Sequence, residues 1–132
     1  MKKFALIAAL LTSTSAFAET TVLSCVVPND AGAPAVSLEM VVGDDVSIDF
    51  VTLNVTTKSG GFTVFNQLEK GAVAEMSKMG EMGMLVLGEN FGQTDGVIKD
   101  AGIFQAVKRP DGMFEGVMIA KGDVFPLLCE AK

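Results

Sequence analysis

Short β-rich runs separated by turn residues are the feature that most constrains how this chain of 132 residues folds. The runs are rich in Val, Ile, Phe and Thr, and turn residues interrupt them about every eight to twelve positions, a rhythm typical of antiparallel sandwiches and barrels. The turn Arg109–Gly112 combines proline, which fixes φ, with aspartate and with glycine, which tolerates the left-handed conformation. The sequence therefore predicts one all-β domain, a small antiparallel β-sandwich or β-barrel.

About eight strands and one short helical segment are expected. Between Leu68 and Gly80, apolar residues recur at intervals of three and glycines bracket the stretch, which predicts a short helix or helical loop. The segment Gly88–Ala101 is rich in glycine and aspartate and predicts an exposed loop. The expected strands are Thr20–Val27, Ala35–Val42, Val46–Thr57, Gly61–Gln67, Met82–Leu87, Gly102–Lys108, Gly112–Ala120 and Asp123–Cys129.

Two of these strands depart from a simple alternation of apolar and polar residues. Apolar side chains occupy even positions from Val46 to Phe50 and odd positions from Val51 to Val55, which predicts a β-bulge or sharp bend near Phe50–Val51. In the last strand, apolar residues occupy every position of Val124–Cys129. That pattern predicts a strand buried on both faces.

The N-terminus has the anatomy of a signal peptide. Lys2 and Lys3 precede the apolar run Phe4–Leu11, and an A-x-A sequence follows at 16–18. We expect cleavage between Ala18 and Glu19, so that residues 1–18 are the signal peptide and residues 19–132 are one exported domain in a bacterial periplasm. No apolar run reaches the roughly 20 residues that a membrane-spanning helix needs, and no membrane span is expected.

Charge and composition exclude several function classes. The chain has 10 basic and 16 acidic residues, and removal of Lys2 and Lys3 changes the net charge from −6 to −8. Nucleic acid and anionic lipid are therefore poor partners, whereas a basic protein of the envelope is a suitable one. The absence of histidine excludes Ser-His-Asp and Cys-His nucleophile pairs and every His-ligated metal centre. No catalytic residue, cofactor or metal is predicted, and the chain is not expected to be an enzyme.

The two cysteines lie close to the two ends of the exported domain. Cys25 is in the first predicted strand, Cys129 is in the last, and an exported protein favours their pairing. A disulfide that closes a loop of about 100 residues removes on the order of 4–5 kcal/mol of denatured-state entropy in the chain-entropy model. The sequence therefore predicts a disulfide that joins the termini.

A lipobox is the alternative interpretation of Cys25. The tetrapeptide Val22–Cys25 has the small residue before cysteine that lipoprotein processing favours. Three residues, 19–21, separate it from the apolar run of the signal peptide, and lipidation would leave Cys129 without a partner. Pairing of the two cysteines remains the favoured interpretation.

A cluster of methionines is the most pointed chemical feature of the chain. Soft thioethers are suitable ligands for Cu(I), and three or four of them together would make a copper site without histidine. A second interpretation is an apolar surface that binds a partner, and the favoured one is packing, because methionine fills irregular gaps in cores. The cluster consists of Met76, Met79, Met82 and Met84.

Two short motif fragments resemble the exported inhibitors of C-type lysozyme. Ser59-Gly60 is similar to the start of the Ser-Gly-x-x-Tyr pattern of that family, and Lys70-Gly71-x-x-Ala74 is similar to its Lys-Gly-x-x-Ala pattern. The resemblance implies a small disulfide-closed β-barrel and an acidic protein that binds a cationic hydrolase. These implications are expectations about architecture and partner.

The chain departs from the inhibitor pattern at one position that matters. Thr63 stands where the family has tyrosine, and the sequence contains no tyrosine at all. If the chain inhibits a hydrolase, the resemblance places the inhibitory loop at Ser59, Gly60, Gly61 and Phe62.

Taken together, these features favour a function in binding. The expected function is that of a small non-catalytic binding or accessory module of the cell envelope. One alternative is an inhibitor of an envelope-directed hydrolase such as lysozyme, and another is a Cu(I) carrier that uses the methionine cluster.

Overall fold

The structure, a computed structural model, describes residues 19–29, 32 and 34–132. The predicted signal peptide, residues 1–18, lies outside the described residues. Within these residues, eight antiparallel strands form one closed barrel, and one short helix accompanies them. The all-β prediction is therefore confirmed, and of the two expected architectures the barrel is the one that forms.

The elements follow one another along the chain with short connections. Two further short strands, β6 and β7, form a small hairpin inside the segment that was predicted to be an exposed loop. Around the barrel the order is β1-β10-β9-β8-β5-β4-β3-β2. The elements are β1 Glu19–Val26, β2 Ser37–Asp44, β3 Ile48–Thr57, β4 Gly60–Glu69, α1 Ala72–Met79, β5 Glu81–Leu87, β6 Gln93–Thr94, β7 Val97–Ile98, β8 Ala101–Lys108, β9 Phe114–Ala120 and β10 Asp123–Ala131.

Alternate side chains of every barrel strand point inward and fill the barrel interior. The buried residues come from all eight barrel strands and from α1, so the lumen is a packed core. The largest fully buried side chains are Phe104, Phe114, Leu23, Leu38, Met40, Leu53, Met118, Val51, Val64 and Val86.

The predicted bulge near Phe50–Val51 is wrong. Strand β3 pairs with β2 and with β4 in continuous register through this point. Asp49 occupies the buried position where the apolar pattern predicted an outward one, and Phe50 points outward. Side chains alternate between inward and outward along the whole strand. At position 49 the inward-facing side chain is a buried carboxylate instead of an apolar group. The register shift of this sheet region lies in β1, between Thr21 and Leu23.

The prediction that the last strand is buried on both faces is also wrong. In β10, Leu127 and Cys129 are buried, whereas Val124 and Pro126 are exposed. The strand forms part of a single-layer barrel wall, so its second face meets solvent instead of another layer. Apolar residues at every position of this strand therefore mark an apolar outer surface.

Helix α1 begins and ends at glycines with left-handed backbone conformations. Gly71 has φ 86° and Gly80 has φ 79°, conformations that cost other residues steric strain. The backbone N–H of Gly80 donates to the carbonyl oxygens of Met76 and Ser77 at 3.0 and 3.2 Å. The predicted helical segment is therefore confirmed. The helix crosses from β4 to β5 at one end of the barrel.

The disulfide joins the strands at which the barrel closes. Cys25 and Cys129 are bonded to each other, lie directly opposite in the register of β1 and β10, and are buried. The predicted pairing is confirmed. A sulfur in this bond is not available for the lipid attachment that the lipobox interpretation requires of Cys25.

Replacing both cysteines, Cys25→Ala and Cys129→Ala, is expected to lower the free energy of unfolding by roughly 2–5 kcal/mol, because the denatured chain regains the entropy of a long open loop. Urea denaturation measures the change. The matched control is Ser24→Ala with Glu130→Ala, the neighbouring pair on the outer side of the same strands, which should change the free energy by no more than about 0.5 kcal/mol. An equal loss in both variants would contradict the assignment to the disulfide.

Candidate binding surface

The outer side of β5, β8, β9 and β10 carries a continuous row of exposed aliphatic side chains. Leu85 pairs with Ile103, Ile103 pairs with Ile119, and Ile119 pairs with Val124. These side chains are 57%, 41%, 44% and 64% exposed, in the order Leu85, Ile103, Ile119 and Val124. We call these four residues the aliphatic wall.

The aliphatic wall is not needed to fill the core. Residues at the alternate positions of the same strands, such as Val86, Phe104 and Met118, already point inward and are fully buried. Large aliphatic side chains scattered singly over a surface are ordinary, but a contiguous group of them marks a site of interaction. The wall is therefore the strongest candidate for a binding surface.

The opposite part of the barrel shows that an outer wall of this fold does not have to be aliphatic. Strands β2, β3 and β4 carry hydroxyl, amide and carboxylate groups at their outward positions, among them Glu39, Asn54, Thr56 and Thr63. The Thr63 hydroxyl donates to Asn54 Oδ1 at 3.0 Å across the strand pair. We call this region the polar wall.

Three phenylalanines continue the apolar surface across the junction between β4 and β5. Phe50 and Phe65 stack with ring centroids 6.1 Å apart, and Phe91 meets Phe65 edge-on at 5.5 Å. Within the described residues, β4 and β5 share one paired position, Phe65 with Leu87. Aromatic contacts therefore cover the junction that has the fewest backbone hydrogen bonds.

Asp100 holds the segment that contains Phe91 against the barrel. Its carboxylate accepts hydrogen bonds from the Lys121 ammonium at 2.9 Å and from the Asn90 backbone N–H at 3.3 Å. A Cβ at Gly88 would collide with this carboxylate, so a larger residue there would displace the Asp100 side chain from its present position. The hydrogen bond from Lys121 is the main cause that lowers the pKa of Asp100 below its ordinary value.

A cavity of about 420 Å³ lies at the barrel end that α1 covers, and Asp49 lines it. The Asp49 carboxylate accepts the backbone N–H of Val73 at 3.1 Å, within the first turn of α1, and lies 3.9 Å from the Lys70 ammonium. These contacts satisfy the buried carboxylate and position the helix, as an acceptor at a helix N-terminus does. Asp49 is therefore explained by folding without a ligand.

The structure divides the methionine cluster between the core and the surface. Met82 and Met84 point inward from β5 and are buried, and Met76 is half-buried against the core. Met79 is 69% exposed, so the expectation that it packs α1 onto the sheet is wrong for this residue. The four thioethers do not share one surface.

The predicted inhibitory loop spans the turn between β3 and β4 and the first residues of β4, at the barrel end opposite α1. Ser59, Gly60 and Gly61 are exposed, whereas Phe62 is half-buried and meets Phe125 with ring centroids 5.9 Å apart. The Thr57 hydroxyl donates to the Gly60 carbonyl oxygen at 2.9 Å. The turn is therefore well held and accessible.

Sequence reasoning missed the aliphatic wall, the phenylalanine cluster and the buried Asp49. The signal for the wall was present, because β5, β8, β9 and β10 carry apolar residues at both parities. In β10 the same signal predicts burial on two faces, whereas the structure shows one buried face and one exposed face. No signal in the sequence distinguished Asp49 from the exposed aspartates of nearby turns.

Comparisons with known proteins supply no relative. No family model, no curated protein and no solved structure matches this chain. No helix among the described residues combines the length and the apolar character needed to cross a bilayer. In the same residues, no three His, Cys, Asp or Glu side chains are grouped as they would be around a metal ion.

Replacing Lys121 with glutamine is expected to raise the pKa of Asp100 towards its ordinary value, because the hydrogen bond from the ammonium is lost. Because folding lowers the pKa of Asp100, its ion pair with Lys121 stabilises the folded protein at pH values above the unfolded-state pKa of about 3.9. This stabilisation is lost as the pH falls through the folded-state pKa of Asp100. NMR titration of the Asp100 carboxyl measures the shift. Lys99→Gln is the control, since it removes an exposed neighbouring charge, and an equal shift there would contradict the assignment.

Replacing a methionine with glutamine is expected to have opposite consequences at two positions of the cluster. At Met82, which is 4% exposed, Met82→Gln buries an amide and should cost at least about 1–3 kcal/mol of the free energy of unfolding. At exposed Met79 the same change should cost no more than about 0.5 kcal/mol. Urea denaturation measures both, and Met82→Leu, expected to cost less than about 1.5 kcal/mol, controls for shape. Equal costs at the two positions would contradict the division described above.

Proposed function

We propose that this protein is an exported, non-catalytic binding module of the cell envelope that binds another protein through the aliphatic wall. The observation that carries the proposal is the unbroken register of Leu85, Ile103, Ile119 and Val124 across four neighbouring strands. Interfaces are built in this way, with exposed apolar side chains at the centre of the contact and polar groups around them.

Export is supported by two independent features. Lys2 and Lys3, the apolar run Phe4–Leu11 and the A-x-A sequence have the order of a bacterial signal peptide. The disulfide between Cys25 and Cys129 is of a kind that persists in oxidising compartments such as the periplasm. A function in binding is favoured over catalysis because a sequence without histidine lacks the commonest general base.

The proposal predicts that two substitutions on the wall weaken partner binding. Leu85→Ser with Val124→Ser removes the two most exposed side chains of the row and should leave the fold intact, because both residues point away from the core. The protein is immobilised and exposed to periplasmic extract of the bacterium that makes it. Retained proteins are identified by mass, and the strongest candidate is purified and titrated by calorimetry. Affinity should fall by at least about tenfold in the variant.

The control removes the same kind of side chain at places remote from the wall. Val46→Ser with Met79→Ser takes away two side chains that are 98% and 69% exposed, in the β2–β3 turn and at the end of α1. This variant should bind as the unchanged protein does. Equal loss of affinity in both variants, or no loss in the wall variant, would overturn the assignment of binding to the wall.

Inhibition of a hydrolase is the second candidate, and the accessible turn between β3 and β4 favours it. A turn that is held before binding loses little conformational entropy when it enters a cleft. The same titration distinguishes the candidates, because Ser59→Ala with Gly60→Ala changes the turn and not the wall. If that variant alone loses affinity and the purified partner is a lysozyme, the inhibitor proposal replaces the first one.

A further inference from the structure

We infer that the barrel end opposite α1 carries a docking site for an extended polypeptide segment, which adds to the free edge of β4 as a short extra strand. The site is separate from the aliphatic wall and does not rest on the proposed function. Two observations carry the inference: backbone groups of β4 without a partner, and a concavity that lies beside them.

The register of β3 and β4 shows which edge of β4 each backbone group faces. Gly60 pairs with Thr57 across a two-residue turn, so the even-numbered residues of β4 exchange backbone hydrogen bonds with β3. The odd-numbered residues, among them Gly61, Thr63 and Phe65, direct their N–H and C=O groups to the opposite edge. That opposite edge is the one that β5 meets.

Strand β5 covers only part of this edge. Its last residue, Leu87, pairs with Phe65, and the segment 88–100 that follows forms no backbone hydrogen bond to β4 among the described residues. Within the same part of the chain, Gly61 and Thr63 have no backbone partner on this edge. Two N–H groups and two C=O groups are therefore unpaired, on residues about 7 Å apart.

A concavity of about 340 Å³ lies beside the free edge. Gly61 and Phe62 line it from β4, and Lys121, Asp123 and Phe125 line it from the turn between β9 and β10 and the start of β10. The rings of Phe62 and Phe125, with centroids 5.9 Å apart, are its apolar part. Residues that pair across two strands point to the same face, so the residue of an added strand opposite Phe62 would direct its side chain towards these rings.

These features select an extended polypeptide backbone as the occupant. A chain in the β-conformation presents its own donors and acceptors at the spacing of Gly61 and Thr63, and strand addition to a free sheet edge is a known mode of recognition. Lys121 and Asp123 have opposite charges, so the site does not select a charge. The fitting segment is one that favours strands and has an apolar residue opposite Phe62.

A second copy of this chain and its own N-terminal segment are poorer occupants. Because β5 continues the same edge beyond Phe65, antiparallel pairing of two β4 edges about Phe62 would bring Leu87 of each copy against the turn Lys58–Ser59 of the other. The expected signal peptide, residues 1–18, precedes β1 at the barrel end that α1 covers, which is the end away from the free edge. A segment of another polypeptide has neither constraint.

Hydrogen exchange in the unbound protein tests the free edge itself. Relative to their intrinsic rates, the amides of Gly61 and Thr63 should exchange at least about tenfold faster than those of Phe62 and Val64, which donate to β3. NMR resolves the four residues in one experiment, so the alternation along one strand is its own control. Equal protection of all four would show that the edge is already paired and would overturn the inference.

The probe for binding is a seven-residue peptide of alternating threonine and valine, capped at both ends. Its matched control carries N-methyl groups on the three central backbone nitrogens, which removes donors on both edges of the peptide. Each is titrated into the purified, isotope-labelled, disulfide-bonded protein and followed by NMR. The unmethylated peptide should shift the amide resonances of Gly61 and Thr63, slow their exchange, and bind at least about tenfold more tightly than its control.

Variants of the protein separate backbone pairing from side-chain contact. Thr63→Pro removes the edge-facing N–H and should weaken peptide binding at least about tenfold, and the fold should tolerate it because this N–H does not donate to β3. Thr63→Ala loses the hydroxyl that donates to Asn54, keeps the N–H, and should bind as the parent does. Leu85→Ser with Val124→Ser should also bind as the parent does. Melting curves establish folding, and if Thr63→Pro does not fold, the two peptides decide.

Four results of these titrations would overturn the inference. They are unshifted resonances of Gly61 and Thr63 at millimolar peptide, equal binding of the two peptides, undiminished binding by folded Thr63→Pro, and dimerisation in sedimentation that protects the two amides without peptide. The last would make a second copy the occupant. If Leu85→Ser with Val124→Ser loses the peptide while Thr63→Pro keeps it, the peptide binds at the wall, which leaves the proposed function standing and excludes the edge site.

Discussion

Closure of the barrel between β1 and β10 is the constraint on which the rest of the structure depends. Closure removes the free edges that an open sheet offers, so another protein has no strand edge to extend at this junction. The Cys25–Cys129 bond lies within that junction and ties the first strand to the last. Away from the short free edge of β4, recognition by this barrel has to use side chains on the outer wall or in the end turns, and this chain places its exposed apolar side chains on the wall.

The junction between β4 and β5 has little backbone pairing, and side-chain contacts compensate for it. Backbone pairing there is limited to Phe65 and Leu87, and the Asn66 side-chain amide donates to the Leu85 carbonyl oxygen at 2.8 Å. Helix α1 connects these two strands at one end, and the contact between Phe65 and Phe91 covers their outer side. Side-chain contacts thus stabilise a junction that has few backbone hydrogen bonds. The aliphatic wall begins at Leu85, beside this junction.

Much of the fold was predictable because local chemistry and the global structure agree. Turn residues, strand propensity and the paired cysteines all indicated the same all-β domain, and consistency of this kind is what makes a sequence specify one structure. The errors lie where a residue was judged by hydrophobicity alone. Asp49 is buried because Val73 N–H and Lys70 compensate its charge, and those partners come from later in the chain. Val124 is exposed because no second layer among the residues that the structure describes covers the barrel there, and the strand's own sequence does not encode this.

Strand propensity alone does not account for the aliphatic wall. Isoleucine and valine favour strands, but threonine is also β-branched and also favours them. The polar wall of the same molecule has threonine in place of isoleucine or valine at such positions. Thr52 and Thr56 occupy outward positions of β3, and the strand still pairs over its whole length. The core does not require these aliphatic residues either, because the inward-facing side chains of the same strands fill it. Neither strand propensity nor the core accounts for Leu85, Ile103, Ile119 and Val124, and the proposed binding function rests on this row.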